Sequence, residues 1–318
     1  MRRCVWLLVL LVIGVVGAPA QTSAPAAADS TPAALSVDTT PTIKLQSNLV
    51  AVSAIARDKD GKPLSGLTRD AFVLKEDGKQ QAITYFSQGS DLPLTLALMV
   101  DTSRSQRGYI ADEIAAGHAF FPAMLTRPDD RAVLVQFEST VLQLVKLTNS
   151  ATTLEHGLAY LTQSHDDIAV AGPRGGGTLL YDAIVAVSRL ALGNQFGRRA
   201  MVILTDGGDD GSHFKAKDAI RAAQGADIMI YSVYYSSGGG NIGALNDLSN
   251  ATGGRVFTVG AQNSLQQIYA EIAEDMRQQY ELGYVPPPSK PDKYHKIDLA
   301  PKDKTLTVQT REGYCTPK

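Results

Sequence analysis

Three polar features of this sequence carry side chains that could hold a cation together. The first is "VDTSRS", where an apolar run ends in Asp101 and hydroxyls follow at alternate positions, Ser103 and Ser105. The second is Thr178, at the end of the glycine-rich "GPRGGGT". The third is Asp206, which closes the apolar "MVILTD" and opens "GGDDG". Two carboxylates and three hydroxyls make an all-oxygen set, and such a set suits hard cations such as Mg2+, Mn2+ or Ca2+. No cysteine or histidine belongs to it, which disfavours zinc. Hydroxyls bind an ion without neutralising it. If one aspartate acts through water, the ion keeps effective positive charge and can accept a carboxylate from another molecule. The glycines of both loops let backbone approach an ion without interference from side chains.

For these residues to meet, their loops must lie at one edge of one sheet. The rhythm from about Leu92 to residue 280 supplies such a sheet. "LTLALMVDT", "DRAVLVQFES", "VLQLVKLT", "RAMVILTDGG", "DIMIYSVYY" and "RVFTVG" read as strands, the second and third as a hairpin. The first is a continuous apolar run, as a strand covered on both faces requires. "GYIADEIAAGHAFFPAML", "TTLEHGLAYLTQ", "TLLYDAIVAVSRLAL", "FKAKDAIRAAQGA", "IGALNDLSNATG" and "SLQQIYAEIAEDMRQQ" have helical spacing and alternate with them. The expected fold class is α/β, a Rossmann-like doubly wound and mostly parallel sheet with helices on both faces. Such sheets bind ligands beyond the carboxyl ends of their strands, at the switch in strand order. Asp101, Thr178 and Asp206 all fall at suitable places.

The flanks are different. Residues 42–90 alternate, carry β-branched residues, and contain Asp-Gly turns at Asp60-Gly61 and Asp77-Gly78. "AFVLKEDGKQQAITYF" reads as a hairpin across the second turn. "DKDG" opens like a calcium loop, but the later acidic ligands are missing and a plain turn is the better reading. After residue 280, "YELGYVP", "YHKIDLAP" and "TLTVQTREGY" read as strands again. Three strands alone make a marginal sheet. They are therefore expected to pack with the N-terminal β module, with the α/β domain (residues 91–279) inserted between residues 42–90 and 280–318.

The N-terminus reads as a targeting segment. Two arginines precede "CVWLLVLLVIGVVG", and "APA" supplies small residues for cleavage after Ala20. An uncleaved anchor is the alternative. Residues 21–41 are rich in Ala, Pro, Ser and Thr and read as a flexible linker. Removing residues 1–20 leaves Cys315 as the one cysteine, so the exported chain is expected to have no intrachain disulfide. A net charge of -2 and the lack of a polybasic run argue against nucleic acid as partner.

The motifs resemble a known family. D-T-S-R-S matches the D-x-S-x-S signature of the von Willebrand factor type A domain, and "GGGT" and "ILTDG" follow in the expected order. The resemblance covers roughly residues 92–280. It implies a metal-ion-dependent adhesion site formed by Asp101, Ser103, Ser105, Thr178 and Asp206, with Mg2+ the ion most expected. It also implies a protein partner whose acidic side chain completes the coordination shell, and relatives in which partner binding moves the last helix. "LSGLTRDAFVLKEDGKQQAITYF" and "QYELGYVP…LTVQTREGY" look like the bacterial proteins called VWFA-related, common in Acidobacteria. Export to the periplasm, the cell surface or the medium is implied.

Enzyme readings find less support. No G-x-S-x-G elbow occurs. "GPRGGGT" lacks the lysine of a phosphate loop. A phosphoaspartyl transferase needs a second acid where Ser103 stands. The expected function is therefore an exported binding protein and not an enzyme. The alternative is an envelope assembly module in which the ion only stabilises loops. For Asp101 to Ser105, capping of the following helix is the competing explanation. Asp182 is expected either beside the ion ligands or as a favourable charge at a helix start, and Asp209 and Asp210 as solvated loop acids.

Overall fold

In a computed structural model of the 318-residue chain, residues 49–88, 92–162, 177–235 and 239–316 are described. The expected targeting segment, the linker and all of "GPRGGGT" before Gly177 fall outside them. In chain order, β1 (Val50–Arg57), β2 (Phe72–Glu76), β3 (Lys79–Gln81) and β4 (Tyr85–Gln88) precede β5 (Leu94–Asp101). Then come α1 (Ile110–Met124), β6 (Arg131–Phe137), β7 (Val141–Thr148), α2 (Ala151–Leu158), α3 (Leu180–Ala186) and β8 (Arg198–Thr205). The remainder is α4 (Ala216–Gly225), β9 (Ile228–Tyr234), α5 (Ile242–Thr252), β10 (Val256–Thr258), α6 (Leu265–Arg277), β11 (Tyr280–Tyr284), β12 (Tyr294–Pro301), β13 (Thr307–Thr310) and β14 (Gly313–Cys315).

The central sheet has the order β10-β9-β8-β5-β6-β7. All neighbours run parallel except β6 and β7, which form the expected antiparallel hairpin. Every residue of β5 is buried. Leu96, Leu98 and Val100 share one core with Phe120 and Phe121 of α1 and Ile268 and Ile272 of α6. Ala97 and Met99 face the other core, with Leu180 and Ile184 of α3 and Leu245 and Leu248 of α5. This two-sided burial explains the unbroken apolar run. From β5 the chain goes outward on one side to β6 and β7, then returns to β8 on the other. The switch in strand order therefore lies at the carboxyl end of β5.

The flanks build two antiparallel sheets, β13-β1-β11-β4 and β14-β12-β2-β3. β1 pairs with β11 and β13, and β2 pairs with β12, so N- and C-terminal segments interleave. Between the sheets lie Val52, Ala54, Leu74, Tyr280, Leu282, Ile297 and Leu299. Two details depart from the expected strands. The hairpin arm ends at Gln81, and Tyr85–Gln88 joins the other sheet beside β11. The last expected strand is split into β13 and β14, because buried Arg311 turns aside to bond the backbone carbonyls of Gln224 and Ala51.

A buried ion pair joins these sheets to the α/β domain. Arg57 at the end of β1 donates from Nη1 and Nη2 to the two carboxylate oxygens of Asp275 in α6, at 2.9 and 2.7 Å. Arg255 adds a bond from Nε at 3.2 Å. The Asp275 side chain is fully buried. Removing one partner of a buried pair leaves an uncompensated charge. Asp275→Ala is therefore expected to lower stability by about 3 kcal/mol or more, read as a lower denaturation midpoint in urea.

Candidate metal centre

Asp101 is the last residue of β5, and its carboxylate is fully buried. Oδ1 accepts the Ser103 backbone N–H at 2.9 Å, and Oδ2 accepts the Thr205 hydroxyl at 2.6 Å. Thr205 ends the neighbouring strand, and its Oγ1 in turn accepts the Gly207 N–H at 3.1 Å. The register that pairs Val100 with Leu204 sets Asp101 beside Thr205. After Asp101 the chain curls through two successive turns, Gln106 N–H to Ser103 C=O and Tyr109 N–H to Gln106 C=O. The hydroxyls of Ser103 and Ser105 thereby come within 3.3 Å of each other. The residue that precedes α1 is Tyr109, with no side-chain capping bond. Helix capping thus does not account for the acid and its two serines.

Asp206 follows β8 and is half-buried. Its Oδ1 accepts the Gly208 N–H at 2.9 Å, and its carbonyl accepts the Asn241 N–H at 2.7 Å. Gly207 has φ +79, and a Cβ there would lie 2.5 Å from the Asn241 carbonyl oxygen. Only glycine fits that turn. Thr178 exchanges two backbone bonds with Asp210, each 2.9 Å, and Leu179 N–H bonds Glu138 C=O at 2.8 Å. Its loop is thus fixed to the loop that Asp206 opens and to the end of β6.

The carboxylate environment is electrically costly. Burial pushes Asp101 up to about 6; hydrogen bonds from Ser103 and Thr205 work against this, and the charge of Asp206 adds to it. Glu113 of α1 is buried too, and burial, with Asp101 and Asp112 close by, raises it well above the carboxylate range. Neither Glu113 oxygen has a hydrogen-bond partner. Acids that desolvate and repel one another favour a bound cation. The oxygen set at this edge of the sheet, Asp101 with Ser103 and Ser105, and Asp206 and Thr178 on the two loops fixed to each other, is of the kind that suits a hard divalent ion.

The remaining acids have other work. Asp182 accepts the Phe214 N–H at 2.9 Å and lies 3.0 Å from His213 Nδ1. It pins the post-β8 loop to the first turn of α3. Asp209 accepts the Tyr181 N–H at 3.1 Å and the Ser212 hydroxyl at 2.6 Å, so it is a loop anchor and not a solvated acid. Asp210 is exposed, and its backbone carries the contact to Thr178. Sequence reasoning passed over Thr205 and Glu113. Thr205 had only its place before Asp206 to mark it. Glu113 had a clearer signal, since it shares a helical stripe with Gly117, Phe120 and Met124, all buried.

Residues 96–271 match the family model of the von Willebrand factor type A domain. No curated protein matches the sequence significantly. Among solved structures, the conserved hypothetical protein BatB from Bacteroides thetaiotaomicron is 16% identical with a TM-score of 0.45, over 57% of this chain and 98% of that one. A von Willebrand factor type A protein from Catenulispora acidiphila is 11% identical with a TM-score of 0.46, over 86% of this chain and 76% of that one. Proximal thread matrix protein 1 from the mussel byssus, in a form with a zinc-occupied MIDAS motif, is 14% identical with a TM-score of 0.47. That match covers 62% of this chain and 48% of the mussel protein, so the chain spans about half its length. The chain belongs to the von Willebrand factor type A domain family.

Proposed function

We propose that this chain is an exported binding protein whose type A domain engages an acidic side chain of a partner protein through a divalent cation, Mg2+ foremost. Domains of this family often serve as protein-interaction modules. The observation that carries the reading is the buried Asp101 carboxylate beside paired serine hydroxyls, at the switch point of the sheet. Asp101, Ser103, Ser105, Thr178 and Asp206 would hold the ion. When bound, the ion supplies a Lewis acid for an incoming carboxylate. The chain's own part is to fix the ligands: Thr205 orients Asp101, the Gly207 turn orients Asp206, and Asp210 fixes Thr178. Export rests on the signal-like residues 1–20, and no helix among the described residues is long and apolar enough to cross a membrane.

Mg2+ should raise the Tm of the wild-type protein, and Asp101→Ala or Ser103→Ala should remove that rise. An unchanged Mg2+ shift in both variants sinks the assignment. Capture of a partner from envelope extract should require Mg2+ and fail with chelator. Capture that survives chelator favours the assembly-module reading, in which the ion only holds loops.

Burial also sets a pH dependence. A carboxyl whose folded pKa is about 6, against 3.8 ordinarily, binds its proton more tightly when folded. Without divalent ions its contribution to stability is fully present below about pH 4 and is lost as pH rises to about 6, at roughly 1.4 kcal/mol per pKa unit. With Mg2+ the sign reverses, because protons compete with the ion, so the Mg2+-induced Tm shift should grow from about pH 5 to about pH 7. Thermal melts across that range, with Asp101→Asn as the variant that flattens both trends, check the point.

A further inference from the structure

Among the described residues, a second group of metal-ligating side chains lies in the flanking sheets. Glu76 ends β2, Asp77 begins the tight turn to β3, and His295 points inward from β12. One potential ligand atom from each lies within 4.8 Å of the others. His295 Nδ1 is 2.7 Å from Glu76 Oε1 and 3.1 Å from Asp77 Oδ2. One ring nitrogen carries one proton or one lone pair, so it cannot serve both carboxylates. The Glu76 side chain is only 2% exposed, and its polar neighbours are the His295 ring and the Tyr284 and Tyr314 hydroxyls. Neutral donors do not remove the charge of a buried carboxylate, and a cation shared by both carboxylates and the ring would balance it.

We propose that Glu76, Asp77 and His295 bind a zinc-class divalent ion, distinct from the all-oxygen site at Asp101. An imidazole nitrogen with two carboxylate oxygens suits Zn2+ far better than Mg2+, with water as the fourth ligand. The surroundings are those of a metal-binding histidine. Nε2 lies 2.9 Å from Ser289 Oγ, so with Nδ1 on the ion it donates its N–H there and fixes the tautomer. The ring stacks on Tyr314 at 5.4 Å, which fixes its plane. The Tyr284 hydroxyl lies beside Glu76 and Tyr314. That hydroxyl is thus a hydrogen-bonding partner for the ligating Glu76 carboxylate. Asp77 is 40% exposed and gives the ion a route in. Lys293 sits 3.6 Å from Asp77 Oδ2, but it is exposed, and such a contact is given up easily.

The ion would join the hairpin that precedes the type A domain to a strand that follows it, between residues 218 apart in sequence. A link that closes so long a loop is favourable because it constrains the unfolded chain. It would act as a clip between the end of β2 and β12 and stabilise the flanking sheets.

The full chain, stripped with chelator and returned to excess Mg2+, is titrated with Zn2+. The expected result is one Zn2+ per chain that Mg2+ does not displace, with a rise in Tm. Glu76→Gln and, separately, Asp77→Asn should weaken this binding at least about tenfold. Asn tolerates the left-handed backbone of Asp77, φ 48, so that variant folds even where a change at buried Glu76 does not. Co2+ in place of Zn2+ should give visible d–d absorption that Asp77→Asn abolishes. Asp101→Asn should leave both the zinc and the colour in place. Unchanged zinc affinity in folded Asp77→Asn, or zinc lost from Asp101→Asn instead, overturns the proposal. A missing Mg2+ shift with the zinc retained would count against the adhesion-site reading and leave the clip standing.

Discussion

The structure turns on one constraint: β5 is buried on both faces and yet ends in a carboxylate. A strand so covered can present a charge only at its end. Its neighbours in the sheet are β6 and β8, and the latter contributes Thr205 and then Asp206. The Thr205 hydroxyl and the Ser103 amide fill one direction on each oxygen of Asp101, but neither bond removes its charge. The turns after β5 and the Gly207 bend after β8 both serve this end of the sheet. An anion is thus fixed and partly satisfied, and its pKa is raised. A fixed, desolvated carboxylate of this kind is one that a cation would stabilise.

The same logic in different chemistry appears in the flanking sheets. There too a strand ends in a buried acid, Glu76, but an imidazole stands 2.7 Å from it. Nitrogen changes which cations fit. The two places also differ in where their residues come from. The Asp101 group is gathered within one domain by loops at a sheet edge. The Glu76 group is gathered from segments on opposite sides of that domain in sequence, and exists only because β2 pairs with β12.

Much of this was legible in the sequence, for reasons that can be named. The run "LTLALMVD" has one reading in a chain where helices alternate with strands, and β5 has it. The marginal stability of a three-stranded tail implied that it would seek the N-terminal strands, and β1 and β2 do pair with β11, β13 and β12. Signals with local causes came through: the Asp77-Gly78 turn has positive φ at both residues. What depended on tertiary placement did not. Thr205 matters because of its register against Asp101, which no local pattern encodes. Glu76 and His295 stand on alternating strands where an inward position holds any residue that finds a partner. The departure of β4 from its hairpin and the break at Arg311 are likewise set by contacts distant in sequence.

The position of α6 ties these parts together. Near its middle, Tyr269 packs against Phe120 of α1 with ring centroids 4.2 Å apart, on the side of the sheet where Glu113 is buried. Near its end, Asp275 is gripped by Arg57 from β1 and by Arg255. The Arg198 guanidinium also bonds the Met276 carbonyl. Sliding α6 along its axis would pull a fully buried carboxylate away from two guanidiniums. Breaking a buried pair of this kind costs about 3–5 kcal/mol. That is more than the 1–3 kcal/mol by which one site usually biases another. A displacement of α6 in this chain therefore has to carry β1, and the sheet built on it, along with the helix.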